Sequence, residues 1–140
     1  MTACPICAPG WADGALIELD ASYVVCGNGP VVLPGYTAVF AKRHVREPFE
    51  LEPDEQDRWW ADCMLVARAM QEVFRPTKLN YEIHGNTIEH LHLHLFPRFP
   101  GDAFEGRPID PREPKRHVTT PEQVDALKRA VARLRGRAAV

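Results

Sequence analysis

The sequence predicts an α+β fold: an antiparallel sheet with a long central helix and a C-terminal helix. Three observations predict it. Short β-prone runs alternate with turn residues from Ala15 to Lys42, one stretch of helical period interrupts them between Pro53 and Phe74, and strand patterns then resume ahead of a last helical stretch. The 140 residues are expected to make one domain, long enough for a single mixed core and short for two. Within it, residues 1–100 form the core, 101–119 a proline-rich wrap and 120–137 the last helix.

The first runs are Leu16 to Leu19, Tyr23 to Cys26 and Gly35 to Ala41, with a break at Gly27-Asn28-Gly29-Pro30, the pattern of a meander. Asn28 between two glycines reads, on pattern alone, as a turn residue that tolerates positive φ. From Pro53 the period becomes helical, with Trp60, Cys63, Met64, Ala67, Met70 and Phe74 on one stripe and a stop at Arg75-Pro76. The large side chains of that stripe are expected in the core. Lys78 to His84 is a strand pattern, Gly85-Asn86 breaks it, and Glu89 to Phe96 alternates strictly. Prolines at 97, 100, 108, 111 and 114 then suit a surface wrap better than a central strand. Thr120-Pro121-Glu122-Gln123 supplies an N-cap, a Pro at the first helical position and a Gln at the third, followed by Val124, Leu127, Val131 and Leu134 on one face.

With 45% hydrophobic and 26% charged residues and a net charge of -2, the chain is neither disordered nor a globally basic nucleic-acid binder, so no nucleic-acid partner is expected. Seven acids lie between Glu47 and Asp62, and five bases between Lys128 and Arg137. They sit near a helix start and a helix end, where the macrodipole favours them, and imply no charged partner. No apolar run approaches the roughly 20 residues of a membrane helix, and Met1 to Ala12 lacks a basic-then-apolar segment, so a cytoplasmic protein with no membrane partner is expected. In that reducing compartment the four cysteines are expected as thiols rather than disulfides. Cys26 and Cys63 sit alone in apolar surroundings and read as core.

Chemistry concentrates in His90-Leu91-His92-Leu93-His94-Leu95. On an extended strand the three imidazoles project to one face about 6.6 Å apart while the leucines face the core. His92 is accordingly expected to be exposed on the site face, without core contacts. Imidazole serves both as a nucleophile towards phosphorus and as a metal ligand, and a His-x-His pair on a strand occurs in catalytic zinc sites that keep an open coordination position. Cys4 and Cys7 have the spacing of a zinc knuckle, which needs two more ligands. Cys26 and Cys63 lack a second thiol nearby, so histidines are the expected completion, with His44 available alongside one of the three. A redox pair and an ordinary turn compete with this reading, although a thioredoxin-like pair follows a strand in a βαβ setting, which is missing here.

The run from His90 to Phe96 resembles the His-φ-His-φ-His-φ-φ signature, φ being apolar, of the histidine triad superfamily of nucleotidyl hydrolases and transferases. The likeness extends to Gly85-Asn86-Thr87-Ile88-Glu89, to Pro34-Gly35-Tyr36 after Asn28, and to Lys42-Arg43-His44, and so covers residues 1 to about 100. It implies that His92 is the nucleophile attacking the α-phosphorus of a purine nucleotide, and that His94 contacts the phosphate. It further implies that Asn86 and Thr87 approach the phosphate and leaving group, that Asn80 is a further candidate, and that Asn28 meets the ribose hydroxyls rather than serving as a turn alone. The zinc-binding branch implies a structural zinc on Cys4, Cys7, His44 and His90. Dimeric relatives, together with Trp59 beside Trp60, which one helical face cannot both bury, imply a homodimer. The segment from Asn80 to His90 is shorter than in the dinucleotide-cleaving branch, and Asn86 stands where many relatives have Gln, two departures that bear on the leaving group. The rival readings are a nucleotide-binding sensor or scaffold with incidental turnover, and a zinc-dependent hydrolase that uses the triad as ligands.

Overall fold

A computed structural model describes residues 3–138. Five strands, β1 (Ile17–Glu18), β2 (Ser22–Cys26), β3 (Thr37–Ala41), β4 (Lys78–Glu82) and β5 (His92–Arg98), form one antiparallel sheet in the order β1-β2-β3-β5-β4. Helix α1 (Pro53–Phe74) connects β3 to β4, and α2 (Pro121–Ala138) closes the described chain. This is the α+β architecture expected. Among the described residues, no helix is long and apolar enough to cross a membrane.

The sheet has one apolar face and one chemical face because residue types alternate along its middle strands. Val24, Val39 and Leu93 share a row on the apolar face, as do Cys26, Thr37 and Leu95. Tyr23, Phe40 and His92 share a row on the opposite face, as do Val25, Ala38, His94 and Glu82. Helix α1 covers the apolar face, where Cys63, Val66 and Met70 are buried with Leu91, Leu93 and Leu95, and α2 adds Leu127 and Val131 to the same core. Burying each such side chain is worth about 1.5–3 kcal/mol, which fixes the register and sends the histidines to the other side. Cys26 and Cys63 are both core residues, as expected, and burial pushes the Cys63 thiol well above its ordinary value.

Helix α1 keeps the expected bounds, with Pro53 in its first turn and a reciprocal capping box in which the Glu52 N–H donates to the Glu55 carboxylate at 3.1 Å. It ends at Arg75, held left-handed at φ 52 ahead of Pro76. The buried stripe keeps Cys63, Ala67 and Met70 of the expected one, with Met64 and Phe74 half-buried, but takes Trp59, 2% exposed, in place of Trp60, 48% exposed. Asp62 is buried on the same side of the helix, where its carboxylate accepts hydrogen bonds from the Ala21 N–H at 2.9 Å and the Ser22 hydroxyl at 2.8 Å. At α2 the expected capping is present in both directions, since the Gln123 N–H donates to the Thr120 hydroxyl and the Thr120 N–H to the Gln123 amide oxygen. Helix α2 also approaches the end of β2 so closely that a Cβ on Gly27 would lie 2.4 Å from Val124 Cγ2, at a φ of +79° that only glycine adopts without strain.

Strand β5 departs from its expected span, beginning at His92 rather than Glu89 and running through Pro97 to Arg98. Proline is tolerated because the position 97 N–H would face β3, which accompanies β5 only as far as the pair Thr37 and Leu95, while β4 pairs on the other side. Strand β4 likewise stops at Glu82 rather than His84, and β3 starts at Thr37 rather than Gly35.

The proline-rich segment lies against the Phe96 end of the sheet, burying Phe104 and Ile109 with Leu33 and Phe96. Val31 and His117 exchange backbone hydrogen bonds at 2.7 and 3.1 Å. Arg98 is its anchor. The guanidinium donates to both oxygens of Asp102 at 2.9 and 3.1 Å, to the carbonyls of Phe104 and Arg107, and to Asn80 Oδ1 at 2.7 Å. Those donors beside Asp102 hold its carboxyl at about 2, so the clamp is ionised at neutral pH.

Candidate active site and metal centre

His92 and His94 are brought together on the chemical face, with ring centroids 4.6 Å apart in an edge-on arrangement. His92 is not exposed as expected: at 6% exposure it stacks on Phe40, with centroids 4.7 Å apart and ring planes 14° from parallel. Strand alternation gave its direction correctly but not the aromatic neighbour that covers its ring. His92 Nδ1 lies 2.6 Å from the carbonyl oxygen of His90. Since a carbonyl can only accept, Nδ1 carries the proton and Nε2 presents a lone pair.

His94 is held differently. Its Nδ1 lies 2.5 Å from the Tyr36 hydroxyl, and its ring is flanked by Tyr36 at 5.7 Å and by His92. Burial, reinforced by His92 and His84, pushes its pKa down to about 4, so the ring is neutral at ordinary pH. Glu82 stands opposite His94 in the β4–β5 register, and the His84 ring lies 5.9 Å from it. Tyr36, Phe40, Glu82 and His84 received no role from the sequence. The same period-two alternation that singled out His92 and His94 places Phe40 and Glu82 on that face, so a signal for those two was present.

The remaining candidates are distributed around this pair. Asn80 is on the chemical face opposite Phe96, with its Oδ1 taken by Arg98. Because a guanidinium only donates, the amide must turn its oxygen towards Arg98, which leaves the Asn80 Nδ2–H₂ group as free donors. Asn86 and Thr87 are exposed on the loop that leads into β5, and this loop is seated by Ile88 against the cluster of Ile6, Ala38 and Phe40. Asn28 is exposed between Gly27 and Gly29, both at positive φ, two residues beyond the row of Cys26, Thr37 and Leu95. The turn chemistry read from the sequence is therefore present there.

Cys4, Cys7, His44 and His90 converge, with their ligand atoms all within 4.8 Å of one another, and could hold a metal ion. Cys4 and Cys7 flank a single 3₁₀ turn, Pro5–Cys7, while His44 follows β3 and His90 precedes β5. His90 Nε2 lies 2.6 Å from the Ala41 carbonyl, which makes it the protonated nitrogen and leaves Nδ1 as a lone pair. That Nδ1 is 3.5 Å from Cys4 Sγ, 3.6 Å from Cys7 Sγ and 3.3 Å from His44 Nδ1, and Cys7 Sγ is 3.4 Å from His44 Nδ1. A tetrahedral ion with bonds of about 2.3 Å to sulfur and about 2.0–2.1 Å to nitrogen requires edges of about 3.5 Å between S and N and about 3.3 Å between N and N. The four edges that involve His90 or join Cys7 to His44 match that tetrahedron. Burial also pushes the His90 pKa down, favouring the neutral ring a metal takes.

The HIT domain family model matches residues 12–101. The bis(5'-adenosyl)-triphosphatase of Dictyostelium discoideum is 31% identical over 84 residues, which cover 56% of this chain and 56% of that protein. This chain spans about half the length of the curated relatives it matches. A histidine triad protein from Marinobacter aquaeolei superposes with a TM-score of 0.71 at 25% identity, over 88% of each chain. A zinc-bound histidine triad family protein from Mycobacterium smegmatis does so with a TM-score of 0.63 at 25% identity, again over 88% of each. With well over half of its length matched by the family and its fold reproduced in the family's solved structures, the chain belongs to the HIT domain family.

Proposed function

We propose that the protein is a nucleotidyl hydrolase or transferase that acts at the α-phosphate of purine nucleotides through a covalent intermediate on His92. The observation that carries this reading is the 2.6 Å contact of His92 Nδ1 with the His90 carbonyl, which makes Nδ1 the donor and leaves Nε2 a lone pair on a ring 4.6 Å from that of His94. The substrate classes are nucleoside phosphoramidates, acyl adenylates and dinucleoside polyphosphates, the last supported by the name of the Dictyostelium relative.

In the first displacement His92 Nε2 forms a P–N bond at the α-phosphorus as the bond to the leaving group breaks. The leaving group keeps the electron pair and takes a proton from solvent. In the second, water attacks the same phosphorus, the P–N electron pair returns to Nε2, and the proton of the attacking water passes to solvent. Such transfers depend on positioning and on donors for the equatorial oxygens rather than on further covalent chemistry. His94 would contact the phosphate, Asn86 and Thr87 the phosphate and leaving group, Asn80 would offer its free amide donors, and Asn28 would meet the ribose.

Zinc is the ion we assign to Cys4, Cys7, His44 and His90, where it would supply a structural crosslink between the N-terminal turn and the sheet. Four protein donors leave no open position, and only one of the triad histidines belongs to the set, so the metal-hydroxide reading has no support in the donor geometry. The free thiols suit a cytoplasmic protein.

The reading is tested by incubating the protein with adenosine and guanosine phosphoramidates, acyl adenylates and dinucleoside polyphosphates, and following products by phosphorus NMR. Release of nucleoside monophosphate from at least one class is expected. Tight binding across the panel without release would instead identify a nucleotide-binding sensor.

A homodimer belongs to the same proposal, because Trp60 is half-exposed on α1 beside the buried Trp59. Light scattering is expected to give twice the 15.8 kDa chain mass, and a concentration-independent mass of one chain would contradict it.

A further inference from the structure

The two histidines of the chemical face are held by partners of opposite character. His92 meets a backbone carbonyl, which can only accept, whereas His94 meets a phenol hydroxyl. We propose that Tyr36 is a positioning residue that holds His94 in the Nε2–H tautomer, so that the site offers one lone pair, from His92, and one hydrogen-bond donor, from His94, to the transferring phosphoryl group. The inference rests on the proposed nucleotidyl chemistry for its consequence, but the tautomer itself is a property of the protein alone.

The direction of the hydrogen bond follows from the groups involved. A phenol hydroxyl is a better proton donor than an imidazole N–H, and an imidazole lone pair is a better acceptor than a phenol oxygen. At 2.5 Å the hydroxyl therefore donates to Nδ1. The reverse arrangement would require the Tyr36 hydroxyl proton to find another acceptor in a half-buried site. Both groups also stay neutral, as the bond requires: burial and the nearby Glu82 push the Tyr36 phenol up to about 12, while burial, His92 and His84 push His94 down to about 4.

Two further contacts make Tyr36 a fixed donor. Its ring stacks on Phe96 with centroids 4.7 Å apart, and its N–H donates to the Leu33 carbonyl at 3.3 Å, closing the turn that enters β3. Phe96 is in turn buried with Leu33, Phe104 and Ile109, so the proline-rich segment packs behind the aromatic pair that aims the hydroxyl. Without the hydroxyl, His94 could place its proton on either nitrogen. The Nε2 lone-pair form would then face phosphate oxygens with a lone pair instead of a donor, a repulsive arrangement.

The test is long-range proton–nitrogen NMR of the full chain, metal-loaded as purified and labelled with ¹⁵N-histidine, with His94 assigned by loss of its signals in His94→Asn. Wild-type protein is expected to show an unprotonated Nδ1 and a protonated Nε2 on His94, and the opposite pattern on His92. Tyr36→Phe keeps the ring and its stacking, and is expected to give His94 a mixture of tautomers while His92 is unchanged. On whichever substrate is turned over, its kcat should fall about tenfold or more, with a smaller change in KM. A protonated Nδ1 on His94 in the wild type, or an unchanged His94 tautomer in Tyr36→Phe, would overturn the inference. Neither spectral result depends on turnover, so an inactive wild type would count against the proposed function and leave the tautomer assignment to be judged on its own spectra.

Discussion

Replacing His92 by Asn is expected to reduce turnover by at least about a thousandfold while leaving the fold and nucleotide affinity close to those of the wild type. Asn is the informative substitution because its amide N–H can still donate to the His90 carbonyl, the contact that Nδ1 makes now at 2.6 Å. What it cannot supply is the Nε2 lone pair. His92→Ala should be equally inactive, but it also vacates the space stacked against Phe40 and loses on the order of 2 kcal/mol of stability through that cavity. Thermal melting separates the two effects, with a fall in His92→Ala and little change in His92→Asn. Wild-type rates in a folded His92→Asn protein would remove His92 from the nucleophile role.

The second large effect is expected at the metal centre, and it should appear in stability rather than rate. Purified protein should contain about one zinc per chain, with two sulfur ligands near 2.3 Å and two nitrogen ligands near 2.0–2.1 Å by X-ray absorption. Cys4→Ser, or removal of the ion by a chelator, should lower the melting temperature by about 10 °C, the effect of losing roughly 3 kcal/mol of crosslink. The rate at 25 °C should change much less. The reason is local. The His90 carbonyl that fixes the His92 tautomer is itself held by the strand entry, where the Leu91 N–H donates to the Val45 carbonyl at 2.8 Å and His90 Nε2 to the Ala41 carbonyl at 2.6 Å. Metal-free protein of full thermal stability would contradict a structural role. A Cys4→Ser protein that melts normally but has lost activity would point to metal-bound hydroxide instead.

The parts of this molecule that were legible in the sequence are those set by local chemistry. Pro53 at a first helical position, and Thr120 with Gln123 as a cap, mark helix starts through residues within one turn of each other, and both helices begin where those residues direct. The alternation of His and Leu gave the two faces of β5. The spacing of Cys4 and Cys7, together with the family resemblance, gave a donor set whose atoms do converge. What was not legible depends on partners far along the chain. Asp62 is buried with the α1 core because Ala21 and Ser22 donate to it, 41 and 40 residues away, and the local helical period carries no information about those donors or about which of Trp59 and Trp60 turns inward. His92 was expected to be exposed because alternation puts Phe40 on the same face but does not give the inter-strand register that stacks its ring on His92. Tyr36 entered only within the family likeness and without a role, and Arg98 not at all, for the same reason. Their roles come from His94 at a separation of 58 residues and from Asn80 at a separation of 18.

The claim that the reaction passes through His92 is tested most directly by rapid acid-free quenching during turnover, followed by intact mass measurement and peptide mapping. The wild type is expected to carry one added nucleoside monophosphoryl group, attached to His92 and labile to acid as a P–N bond is, and His92→Asn to carry none. Turnover with no adduct at any time point, or an adduct that persists in His92→Asn, would contradict the account.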